Sequence, residues 1–99
     1  MPAPATVADL IDLVRRSQIL PEDRLEPELS ALTQSGAMPV APEKLASWLV
    51  KQALLTPFQA RQLLAGRWRS LMIGGKYKLL DLLGAGGMGA VYLCEHIFM

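Results

Sequence analysis

Four glycines lie within six residues in the stretch LLGAGGMGAVYL, which spans residues 82–93. Gly84, Gly86 and Gly89 have the spacing G-x-G-x-x-G, and Gly87 lies inside that pattern. Because glycine has no Cβ, such a backbone can approach a phosphate group closely and donate its N–H groups to the phosphate oxygens. The chemistry that this spacing favours is therefore the binding of nucleotide phosphates.

Three phosphate-binding devices use glycine-rich loops, and the flanking residues separate them. A P-loop continues into Gly-Lys-Ser/Thr, which holds phosphate and magnesium, and no such residues follow here. A Rossmann loop leads into a helix whose N-terminus meets the pyrophosphate, whereas the strand-forming residues AVYLCEH follow Gly89. The third device joins two antiparallel strands and folds over a nucleotide. The local sequence favours this third device, and a glycine-rich hairpin without a ligand is the alternative.

The stretch LLGAGGMGAVYLCEH, residues 82–96, closely resembles the glycine-rich loop of the serine/threonine protein kinases of the bacterial eukaryotic-like (Hanks-type) group. The family pattern Leu-Gly-x-Gly-Gly-Met-Gly-x-Val-Tyr runs from Leu83 to Tyr92 without a departure. The preceding GGKYKLLDLLG resembles the first strand of that family, with Tyr77 and Leu79 at its entry. The run LLTPFQARQLLAGRWRSLMIGGKYKLL, residues 54–80, is also similar to the region that precedes the kinase domain in planctomycete-type bacteria.

The resemblance implies ATP and Mg²⁺ as cofactors of a full-length parent kinase, with serine or threonine of a protein as the substrate. It implies that the glycines hold the phosphates, that Met88 shields them at the loop tip, and that Leu83 and Val91 contact adenine. The nucleotide-binding residues implied in this way are Leu83, Gly84, Ala85, Gly86, Gly87, Met88, Gly89, Ala90 and Val91.

The catalytic residues of a kinase are missing from these 99 residues. Phosphoryl transfer requires a third-strand lysine in an Ala-x-Lys context, its glutamate partner, a His-Arg-Asp loop and an Asp-Phe-Gly metal site. We therefore expect an N-terminal fragment of a longer kinase, with no catalytic residue of its own and no activity alone. The alternative is a non-catalytic helical interaction or regulatory module, with a protein partner of its own and a vestigial kinase tail.

The residues before the loop predict four amphipathic helices, of which the first two span residues 6–36. Thr6 and Asp9 form a plausible N-cap arrangement. One face of the first helix is apolar, through Val7, Leu10, Ile11, Leu13 and Val14. The second helix repeats leucine at i, i+4 and i+7, through Leu25, Leu29 and Leu32. Gly36 is its natural end, and Pro27 interrupts the pattern and is interpreted as the first turn of the longer helix.

The third and fourth helices begin near prolines. The third has Pro42 at its first turn and an apolar stripe formed by Leu45, Trp48 and Leu49. The fourth has Thr56 as the cap, Gln59 three residues later and Pro57 between them, which is a capping-box pattern. Gly66 is expected to end it.

The two helix pairs match when one is shifted by 35 residues. Leu10 then falls on Leu45, Val14 on Leu49 and Leu29 on Leu64. This predicts a duplicated αα-hairpin with one shared core, although amphipathic helices also share such positions by chance.

The character of the sequence changes after residue 66. Residues 67–75 are expected to be a linker held to the helices by Trp68, and residues 76–84 and 90–98 are strand candidates. The predicted fold class is α+β: a helical N-terminal domain over residues 1–66, then the first β-hairpin of a kinase N-lobe over residues 76–99. Tyr92 is expected to be a core residue, Cys94 a small buried one, and His96 exposed or structural.

Composition excludes several function classes. A hydrophobic fraction of 52% with 19% charged residues favours a folded chain, and a net charge of +1 gives no support for nucleic-acid binding. A single cysteine allows neither an intrachain disulfide nor a cysteine-based metal site. Neither a secretion leader nor an apolar run of membrane-spanning length is present, so we expect a cytoplasmic region without a membrane segment.

Overall fold

The computed structural model describes residues 2–87 and 89–97. Within them the fold is α+β, with four helices packed beside a three-stranded antiparallel sheet of order β1-β2-β3. The helices are α1 (Val7–Ser17), α2 (Glu22–Ser35), α3 (Pro42–Lys51) and α4 (Pro57–Leu64). A 3₁₀ turn (Arg69–Leu71) leads into the strands β1 (Met72–Ile73), β2 (Tyr77–Gly86) and β3 (Gly89–His96).

The predicted cap of α1 is confirmed. The Thr6 hydroxyl accepts a hydrogen bond from the Asp9 N–H at 3.1 Å, and the Asp9 carboxylate accepts one from the Thr6 N–H at 3.2 Å. Helix N-termini leave backbone N–H groups without partners inside the helix, and a capping box binds two of them. The helix therefore begins where the polar residues of the sequence place its cap.

Helix α2 contains Pro27 in its interior, so the interpretation of Pro27 as its first turn was wrong. The helix begins upstream at Glu22, because Leu25 is fully buried and continues the stripe formed by Leu29 and Leu32. Pro27 is exposed, so the carbonyl that its missing N–H would have bonded can be hydrated. Burial of the leucine stripe outweighs the cost of the proline. The predicted end at Gly36 is confirmed, with a φ of 71°.

Ionic contacts link the exposed sides of α1 and α2. The Arg15 guanidinium lies 3.0 Å from a carboxylate oxygen of Glu22 and 3.3 Å from one of Glu26. The hydrogen bond to Glu22 raises the pKa of Arg15 above its ordinary value. All three side chains are about half exposed, so solvent screens these pairs and they contribute little to stability.

Helices and sheet share a single apolar core. Leu71 of the 3₁₀ turn is fully buried and Leu79 of β2 is 4% exposed, so the sheet is anchored among the helices. Trp48 and Trp68 pack against this core at its margin. The largest fully buried side chains are Leu10, Val14, Ile19, Leu25, Leu45, Leu49, Leu63 and Leu71.

The two helical hairpins show further matches at the 35-residue offset. Val7 and Pro42 begin α1 and α3, and Glu22 and Pro57 begin α2 and α4, so both pairs of helix starts are 35 residues apart. Gln18 and Ala53 are also 35 residues apart, and they are the two non-glycine residues with positive φ in the described part of the chain, at 62° and 60°. A left-handed backbone is uncommon outside glycine. These matches support the duplication, which stays a prediction.

The β2–β3 hairpin leaves the core after its first few residues. On β2 only Leu79 is buried, and the rest of the strand is half-buried or exposed. Two extra residues, Leu80 and Leu83, interrupt the pairing: Leu79 faces Cys94 while Asp81 faces Leu93, and Leu82 faces Tyr92 while Gly84 faces Val91. Each extra residue is a β-bulge, which bends the strand and increases its twist.

Two expectations for β3 were wrong. Cys94 is exposed, and Tyr92 is 41% exposed although its ring centroid lies 6.0 Å from that of Phe58. Both residues lie on β3, the edge strand of the sheet, which is exposed along nearly all of its length. Apolar character alone does not bury a strand, because burial requires a second layer against it.

Candidate functional site

The glycine-rich stretch forms the closed end of the hairpin. Ala85 pairs with Ala90 and Gly86 with Gly89, so the antiparallel pairing extends into the glycine-rich stretch on both strands. The expectation of two antiparallel strands joined by glycines is confirmed by this pairing. Met88, which was expected to shield phosphates, lies outside the described residues.

Of the described glycines at the tip, one has a backbone conformation that requires glycine. Gly89 has a φ of 116°, which residues with a Cβ rarely adopt. Among the described residues, a Cβ placed on Gly84, Gly86 or Gly87 would meet no atom within 4 Å beyond its chain neighbours, and none of these three has a positive φ. The described part of the fold therefore has no steric need for glycine at these three positions. They leave open backbone that a ligand could approach.

Two exposed apolar side chains flank these glycines. Leu83 is 62% exposed and precedes Gly84, whose partner on β3 is Val91, itself 63% exposed. Both therefore lie at one level of the hairpin, next to the open glycine backbone. Exposed aliphatic side chains beside sterically open glycine backbone are a combination that fits a flat apolar base joined to a polar phosphate chain.

The tip carries no charge of its own. Residues 82–94 contain no Asp, Glu, Lys, Arg or His. The groups that could hold phosphate there are therefore backbone N–H dipoles, and the charge that balances a polyphosphate has to come from elsewhere. Over residues 2–87 and 89–97, no group of three His, Cys, Asp or Glu side chains is arranged to hold a metal ion.

Lys78, Glu95 and His96 lie at the base of the hairpin, and Asp81 is exposed farther along β2. The Lys78 ammonium donates to the Ile19 carbonyl at 3.2 Å and lies 3.6 Å from a carboxylate oxygen of Glu95. His96 is half-buried and packs edge-on against Tyr77, with ring centroids 4.8 Å apart. The side chains of Lys78, Glu95 and His96 therefore lie at the end of the hairpin that is opposite the glycine tip.

The start of α4 holds the base of the hairpin, which sequence reasoning missed. The predicted capping box is confirmed: the Gln59 N–H donates to the Thr56 hydroxyl at 3.1 Å, and the Thr56 N–H donates to Gln59 Oε1 at 2.9 Å. The same two side chains also donate to β2, Gln59 to the Leu79 carbonyl and Thr56 to the Leu80 carbonyl. The available signal was the amide of Gln59, which can donate where a glutamate in that position cannot.

The comparisons with known proteins identify no relative. No protein-family model, no curated protein and no solved structure matches this chain. Within the described ranges, no helix has the length and apolar character needed to cross a bilayer.

Proposed function

We propose that the β2–β3 hairpin is the ATP-binding glycine-rich loop of a serine/threonine protein kinase, and that the phosphotransfer residues of that kinase are not among the residues of this chain. The observation that carries the proposal is the set of three glycines, Gly84, Gly86 and Gly87, that the described part of the fold does not require. They lie within a run from Leu83 to Tyr92 that matches the kinase pattern at every position.

The role of the loop follows from its backbone. Those N–H groups of the loop that do not bond across the hairpin would donate to phosphate oxygens, and the missing Cβ atoms would let the strand lie directly over them. Leu83 and Val91, exposed on either side, would contact the adenine ring. Mg²⁺, when bound with the nucleotide, would neutralise the phosphate charge. The described residues offer no ligand set for the ion, so the nucleotide and residues outside this chain would hold it.

A titration of the ¹⁵N-labelled chain with Mg·ATP tests the loop assignment. We expect amide shifts confined to residues 83–91, with weak affinity because the tip carries no charge. Gly86→Val should abolish these shifts without unfolding the hairpin, since Gly86 has an ordinary φ and open space around its Cα. Cys94→Val is the matched control, because it adds a β-branched residue at an exposed site of the same hairpin.

Shifts spread over the helices, or shifts that persist in Gly86→Val, would contradict the assignment. The kinase assignment itself is tested by the reading frame beyond the codon for Met99. We expect it to continue with Ala-x-Lys within about 20 codons. A stop codon there would exclude phosphoryl transfer by the encoded protein and favour the alternative of a helical interaction module.

A further inference from the structure

Two side chains at the start of α4, Thr56 and Gln59, form hydrogen bonds with the hairpin at one point of β2. The Gln59 side chain is 3% exposed, and its Nε2 donates to the Leu79 carbonyl at 2.7 Å. The Thr56 hydroxyl donates to the next carbonyl, that of Leu80. Two consecutive backbone carbonyls of one strand are therefore bound by two side chains of one helical turn.

These carbonyls lie at the bulge where the hairpin leaves the core. Leu80 is the extra residue between the Leu79–Cys94 and Asp81–Leu93 pairs, so it has no partner position on β3. A bulge bends the strand and leaves a residue outside the ladder. The side chains of α4 therefore bind β2 at the bulge that bends it. The glycine tip lies farther along the hairpin, beyond this bulge.

The capping box of α1 shows that helix capping does not require these extra contacts. Thr6 and Asp9 make the same two reciprocal hydrogen bonds on α1, but both residues are exposed. Their side chains make no contact with the sheet among the hydrogen bonds of the described residues. On α4, by contrast, the Gln59 amide and the half-buried Thr56 hydroxyl each donate one further hydrogen bond, and both of these bonds go to the hairpin.

We propose that the first turn of α4 is a clamp that fixes the orientation of the glycine-rich hairpin relative to the helices, so that the helical part of the chain controls how the loop meets its nucleotide. Thr56 and Gln59 are positioning residues in this device, acting on the tip through β2. The second half of the proposal, control of the nucleotide, rests on the function proposed above.

Residual dipolar couplings of the full chain test the clamp. In Thr56→Ala, amides of residues 81–86 and 89–95 should no longer fit the alignment tensor of the helices, and amide exchange at the hairpin base should accelerate about 5–10-fold. Thr56→Ser keeps the hydroxyl and should retain the wild-type couplings. Thr6→Ala is the matched control: it removes the same type of cap from α1 and should leave the hairpin couplings unchanged.

The clamp is overturned if the hairpin couplings in Thr56→Ala equal those of the wild type, or if Thr6→Ala shifts them as much. Should Thr56→Ala fail to fold, Thr56→Asp provides the same readout, because an aspartate keeps the cap acceptor for the Gln59 N–H and lacks the hydroxyl donor to Leu80.

Mg·ATP titrations of the same variants test control of the nucleotide. We expect affinity at the tip to fall about fivefold in Thr56→Ala, the size of one lost hydrogen bond, and to stay unchanged in Thr6→Ala. Equal affinity in Thr56→Ala, with an altered hairpin orientation, would overturn this half of the proposal. Failure of the wild-type chain to bind Mg·ATP would count against the proposed function, while the dipolar couplings would still decide the clamp.

Discussion

Replacement of Gln59 by glutamate separates helix capping from attachment of the hairpin. Gln59 Oε1 accepts from the Thr56 N–H at 2.9 Å, and Nε2 donates to the Leu79 carbonyl at 2.7 Å. A glutamate retains the first interaction, since it is a standard capping-box residue. It replaces the second with a carboxylate oxygen facing a carbonyl oxygen. The substitution should therefore loosen β2 from α4 while α4 stays capped.

The expected loss follows from the burial of the two groups. The Leu79 carbonyl loses its donor, which costs about 1–3 kcal/mol for a buried polar group. A buried carboxylate against a carbonyl adds desolvation and repulsion. We expect Gln59→Glu to lower the free energy of unfolding by about 2–4 kcal/mol at pH 7, a large part of the stability of a domain of this size.

Acidification should restore part of this loss. Burial and the Leu79 carbonyl would raise the pKa of the new carboxyl in the folded state above its unfolded value of about 4.3. A raised carboxyl pKa penalises the folded state above that pKa, and the penalty disappears as the pH falls through it. Once protonated, the carboxyl can donate to Leu79 as the amide does.

Urea unfolding of the wild type and the variant between pH 7 and pH 4 measures this difference. Gln62→Glu, the same substitution three residues later on α4, controls for added charge, and its difference from the wild type should stay small. A Gln59→Glu loss below about 0.5 kcal/mol, or one that does not shrink with acidification, would refute the proposed donation from Gln59 to Leu79.

Two further substitutions test how much an unfavourable backbone position lowers the stability of the fold. Pro27→Ala should raise the free energy of unfolding by about 1 kcal/mol or more, because it restores a hydrogen-bond donor at an exposed position inside α2. Urea unfolding measures this gain, and a loss of stability would contradict the explanation. Ala53→Gly should raise the melting temperature by an amount equivalent to about 0.5–1 kcal/mol, because glycine adopts the positive φ of 60° without strain. Calorimetry measures the melting temperature, and a lower value in the variant would count against strain at Ala53.

The helices could be predicted because their signals are local. Capping boxes at Thr6 and Thr56 join residues three positions apart, and leucine spacing identifies the buried face of each helix from neighbouring turns. The glycine turn of the hairpin is local in the same sense. The position of Pro27 was wrongly interpreted, because the helix-breaking tendency of proline was outweighed by burial of Leu25 in a core that several elements share.

The candidate site divides in the same way. The glycines and their apolar neighbours could be identified from residue types and spacing, since a phosphate-binding loop is a contiguous segment. The exposure of Tyr92 and Cys94 could not be predicted, because it depends on how far the helical core extends beneath the sheet. The bulges at Leu80 and Leu83 also depend on the alignment of two separate strands.

The sequence by itself determined the presence of four helices, the capping boxes of α1 and α4, the hairpin and the glycine-rich tip, because each of these arises from residues within a few positions of one another. The tertiary structure decided how the hairpin is held. The bonds from Gln59 to Leu79 and from Thr56 to Leu80 span 20 and 24 residues. A side chain's second hydrogen-bond partner is chosen by packing, since only the folded core brings such distant groups within donor–acceptor distance.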